Sequence, residues 1–80
     1  MHTTRATVRY ATGMSVESVL IEIYDMAGFC RARWLADGTQ GEHDFPVDLS
    51  SLASDVYLLR IAARHEGRIY EVVKPFGIAR

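Results

Sequence analysis

One cysteine, two prolines, one lysine and no long apolar run: what this 80-residue chain has little of already narrows what it can be. A lone Cys30 excludes an intrachain disulfide. The compartment stays open, because an exported domain need not carry disulfides. No apolar stretch approaches the roughly 18 residues that a membrane-spanning helix needs. The opening MHTTRATVRY has no apolar h-region, so it is not expected to act as a signal peptide. Charges of either sign never run together, and the formal net charge is −1. A nucleic-acid partner is therefore not expected, since it would call for a basic patch or stripe. Eight of the nine cations are arginine and only Lys74 is lysine, a bias that points to no function.

What is present is alternation. Ala6, Val8 and Tyr10 share one face of Arg5 to Tyr10, while Arg5, Thr7 and Arg9 share the other, the period-two signature of a half-buried strand. Glu17 to Tyr24 sets Val19, Ile21 and Ile23 against Leu20, Glu22 and Tyr24, and is rich in β-branched residues. Asp25-Met26-Ala27-Gly28 reads as a tight turn into a third strand, with Cys30, Ala32 and Trp34 expected on one face and Arg31 and Arg33 on the other. After the loop at Asp37 to Gly41, the segment from Glu42 to Leu49 alternates cleanly, and Pro46 marks it as an edge strand or a bulged one. Leu52 is expected to plug the end of the core. Asp55 to Ala63 is apolar on both faces, as a central strand should be. His65-Glu66-Gly67 is a turn into Arg68 to Lys74, which Pro75 is expected to stop.

The expectation is one all-β domain over 1–80, a small antiparallel sandwich of about six to seven strands. Its core would span about 3–74, with a tail at 75–80. A chain this short buries only about 60% of the surface its unfolded form exposes.

Candidate sites are sparse. His2, His43 and His65 have no zinc-ligand spacing. His43-Asp44 near Ser50 and Ser51 suggests a hydrolase, but neighbouring strand residues point to opposite faces, and no nucleophile elbow is present. Cys30 is expected to be a small buried hydrophobe rather than a reactive thiol. Asp25, Asp37, Glu42 and Asp44 lack the spacing of a calcium loop. Trp34, Phe45, Tyr24, Tyr57 and Tyr70 would stack sugars only if they lined one sheet face; otherwise they pack the core. No catalytic residue, cofactor or metal is expected. Arg60 interrupts an apolar strand, and its head is expected to reach solvent or a carboxylate such as Glu22 or Glu71.

The order of three motifs carries a resemblance. V-x-I-x-I-Y-D-M-A-G is followed by D-L-S-S-L-A-S-D-V-Y-L-L-R-I and then by I-Y-E-V-V-K. Together they resemble the C-terminal sorting domain of the type IX secretion system, within a superfamily that includes the immunoglobulin-like domain of flagellar hook-capping proteins. The matching positions are Tyr24, Asp25 and Gly28; Leu52, Val56, Tyr57 and Arg60; and Val72, Val73 and Lys74. Asp55 stands where the family usually has glycine. The resemblance covers nearly the whole chain. It implies an immunoglobulin-like sandwich without catalysis, covalently linked to an N-terminal cargo domain. It also implies recognition by outer-membrane secretion machinery and a sortase-like protease, and export through the periplasm to the surface or exterior of a Gram-negative bacterium. The alternatives are a generic structural or assembly module (a stalk, a linker or a hook-cap-like domain) and, further off, a carbohydrate-binding module. A homodimer formed by edge-strand pairing is a further expectation.

Overall fold

Period-two alternation is realised as six strands in the computed structural model, which describes residues 4–79. They are β1 (Arg5–Thr12), β2 (Ser18–Asp25), β3 (Cys30–Ala36), β4 (Gly41–Asp48), β5 (Asp55–His65) and β6 (Arg68–Ile78). β1 and β4 pair as a two-stranded sheet, and the other four form a second sheet in the order β3-β2-β5-β6. All pairings are antiparallel. The fold is a β-sandwich with layers of unequal width.

Each strand gives its apolar set to the space between the sheets. Val19, Ile21 and Ile23 of β2 are almost wholly buried, and Tyr57 of β5 joins them with Val8 and Val47 from the small sheet. Trp34 of β3 meets Phe45 of β4 edge-on at 6.5 Å, which fastens the sheets along one flank. Leu49 and Leu52 close the end of the core, as expected for Leu52. β5 is central, between β2 and β6, and β4 is an edge strand. Both prolines sit on edge strands, Pro46 on β4 and Pro75 on β6, where the missing N–H can face the open side.

The structure corrects two expectations. Pro75 does not stop the last strand. The ladder with β5 continues through Leu58–Pro75 to Asp55–Ile78, Phe76 packs on Tyr57 at 5.9 Å, and Ile78 is buried, so residues 75–78 of the expected tail extend the strand and two of them pack on the core. Cys30 is exposed and does not share a face with Ala32 and Trp34. The pairing of β2 with β3 shifts between Ile23 and Tyr24, which leaves Arg31 as an extra residue. A bulge of this kind reverses the facing of whatever lies beyond it. Cys30 therefore lies beside Tyr24 and Glu22 on the outer face.

Candidate functional site

Glu22 lies at the middle of β2 on the outward face of the large sheet, yet it is only 1% exposed. Its neighbours across the ladder explain this, because Arg33 of β3 and Arg60 of β5 flank it in register. Arg33 donates from Nε and Nη2 to Oε2 at 3.1 and 2.7 Å, and Tyr24 donates its hydroxyl to the same oxygen at 3.0 Å. Arg60 donates from Nη1 to Oε1 at 2.6 Å and from Nε to Glu71 Oε2 at 2.6 Å. Both carboxylates named as partners for Arg60 are thus engaged at once. A buried charge is tolerated only when paired and hydrogen-bonded, and Glu22 is both. Burial pushes its carboxyl up, but the hydrogen bonds from Arg33, Arg60 and Tyr24 outweigh that and hold it below the ordinary value.

The remaining motif positions divide by role. Asp25 accepts from the backbone N–H groups of Ala27 and Phe29 at 3.0 and 2.9 Å, and Gly28 completes the turn at φ +92°. Those backbone bonds, that from Phe29 foremost, hold the Asp25 carboxyl below its usual range. Tyr57 donates its hydroxyl to the Ala53 carbonyl at 2.7 Å, pinning the connection that carries Leu52. Among the described residues other than glycine, a positive φ occurs only at Glu66, so Asp55 begins β5 without one. Val56, Val72 and Val73 stay about half exposed, and Lys74 is exposed.

The flank opposite the Trp34–Phe45 contact is open. A groove of about 600 Å³ runs between β1 and the inward face of β5 and β6, floored by Leu59, Ile61, Val72 and Phe76. Tyr70 and Val72 face the same way as buried Ile78 yet are 55% and 54% exposed, because the small sheet is too narrow to cover them. Lys74 stands on the floor.

One rim of the groove is an unpaired strand edge. Leu49 N–H donates to the Thr4 carbonyl at 2.7 Å, extending the β1–β4 ladder by one step. Antiparallel ladders alternate, so Ala6, Val8 and Tyr10 turn their backbone groups to β4. Arg5, Thr7, Arg9 and Ala11 turn theirs to the open side. The same alternation puts the missing N–H of Pro46, opposite Thr7, on the far edge of β4.

Other constellations do not assemble. His43 stacks on Tyr10 at 5.0 Å and contacts the Thr39 carbonyl, while Asp44 turns away to Arg9 at 2.8 Å. His65 lies near Glu66, and His2 falls outside the described residues. Asp25 pairs with Arg31 and Asp37 lies near His43, so the loop acids are dispersed. Trp34, Phe45 and Tyr57 pack inward, Tyr24 lies on the outer face, and Tyr70 stands in the groove; they form no single row. Sequence reasoning named Glu22 only as a partner of Arg60 and missed the groove. Its one signal was apolar residues on both faces of the last strand, at Ile69, Tyr70, Val72 and Val73.

No protein-family model, no curated protein and no solved structure matches this chain.

Proposed function

We propose that this chain is a non-catalytic, immunoglobulin-like sorting domain that marks a covalently linked cargo for export across the outer membrane to the cell surface. The observation that supports the reading is how the motif residues divide. Tyr24, Asp25, Gly28, Leu52, Tyr57 and Arg60 are spent on turns, core and the Glu22 cluster. Val72, Val73 and Lys74 are displayed on the outermost strand, free to meet a recognising protein.

Chain geometry favours this over a stalk or linker. Thr4 meets Leu49, Ile78 pairs with Asp55, and the short 49–55 connection joins those points. A domain joined at either end would sit at that one end of the sandwich and leave the sheet faces and the groove clear.

The test fuses all 80 residues to the C-terminus of a fluorescent reporter that carries a signal peptide, in a host with a type IX system. Reporter at the surface or in the medium, lost on Val73→Glu with Lys74→Glu, supports the reading. Reporter confined to the periplasm contradicts it.

A further inference from the structure

We propose that the groove between β1 and β6 is a strand-acceptor site: it takes one extended segment of another protein, paired to β1, with apolar residues facing inward and acidic residues facing outward. This rests on the open flank; it shares Val72 and Lys74 with the strand displayed for sorting, but its binding test uses the purified chain and succeeds or fails apart from export.

Three observations converge. First, β1 supplies the ladder. Arg5, Thr7, Arg9 and Ala11 direct their N–H and C=O groups to the open side, and an extended peptide satisfies such groups by adding a strand. Of the four edge strands, β4 and β6 each carry a proline, whereas β1 carries none and borders the groove. Second, the floor supplies pockets. A strand beside β1 would lay alternate side chains on Leu59, Ile61, Val72 and Phe76, covering apolar surface that the small sheet leaves bare. Third, the charge is one-sided. On the outer face of the small sheet, Arg5 and Arg9 of β1 have an acidic row on one side, Glu42, Asp44 and Asp48 of β4. On the other side, among the described residues, no strand pairs with β1 to supply a second acidic row, while Lys74 stands on the inward floor of the groove, away from that face. Acidic residues on the incoming strand would complete the outer row, as cross-strand opposite charges do.

The same geometry disfavours a second copy. Antiparallel β1–β1 pairing about a twofold axis puts both large sheets on the same side. Each copy's β5–β6 overhang would then enter the space under the other's β1. Symmetric parallel pairing would instead turn the arginine face of one copy onto the apolar floor of the other. A lone strand with no sheet behind it fits.

The probe is a nine-residue synthetic peptide alternating valine with glutamate, blocked at both ends and titrated into the full chain while backbone amides are followed by NMR. The expected result is saturable binding with slowed exchange at Arg5, Thr7, Arg9 and Ala11. Thr7→Pro removes only an outward N–H, as Pro46 does across the ladder, and should weaken binding by about tenfold while leaving the fold intact. Val72→Glu, at an exposed floor position, should weaken it comparably. A peptide with lysine in place of glutamate should bind less well. Three results would overturn the proposal: no saturable shift, binding indifferent to Thr7→Pro, or sedimentation showing a dimer that already protects β1 without peptide.

Discussion

At the scale of the residue, Glu22 shows how a strand's outward position can be the most buried charge in a domain. Period two assigns it to the solvent face, and nothing local says otherwise. Its burial comes from Arg33, eleven residues along, and from Arg60, thirty-eight residues along, folding over it from both neighbouring strands. Glu22→Gln keeps the shape and removes the charge from two arginines. Because Arg33 is 62% exposed and water can take over part of its pairing, the expected loss is about 2 kcal/mol, read from urea midpoints at pH 7. The pH dependence has a definite sign. The carboxyl sits below its ordinary value of 4.5 in the folded chain, so its contribution is fully present above that pH and is lost as pH falls through the lower, folded value. The wild type should therefore hold its advantage over Glu22→Gln at neutral pH and lose it progressively as the pH falls below the ordinary carboxyl value of 4.5. A stability gap that stays constant as the solution is acidified would contradict the ion-pair account.

At the scale of the element, legibility followed locality. Strands with clean alternation are legible from the order of apolar and polar residues, and Pro46 marks an edge or a bulge, of which the structure realises the edge. Cys30 was not readable, because its facing depends on a bulge in the β2–β3 pairing that period-two alternation does not encode. The end of β6 was hidden for a related reason: a proline breaks a central strand but not the open side of an outer one, and which strand is outermost is a property of the whole sheet. The β5–β6 hairpin offers a direct check. Its two turn residues, Glu66 and Gly67, both take positive φ, at 49° and 75°, as a type I′ turn requires. Glu66→Asn should stabilise by about 0.5 kcal/mol, since asparagine tolerates that region better. Gly67→Ala should destabilise by about 1 kcal/mol. Thermal unfolding of the two variants beside the wild type reads both signs, and the opposite order would refute the turn assignment.

At the scale of the whole molecule, the unequal sheets matter most. Two strands cannot cover four, so one flank closes on Trp34 and Phe45 while the other leaves apolar side chains beside an unpaired edge. No single stretch of sequence encodes that groove. It arises from the partition of strands between layers, and only the doubly apolar character of β6 hinted at it. The central claim, a sandwich open along β1, is tested most directly by hydrogen exchange of the free protein at residue resolution. Alternate protection is expected in β1, with Ala6, Val8 and Tyr10 slow, Arg5, Thr7, Arg9 and Ala11 fast, and β2 and β5 the slowest of all. Uniform protection along β1 would contradict the account, because it would mean that the edge is already covered.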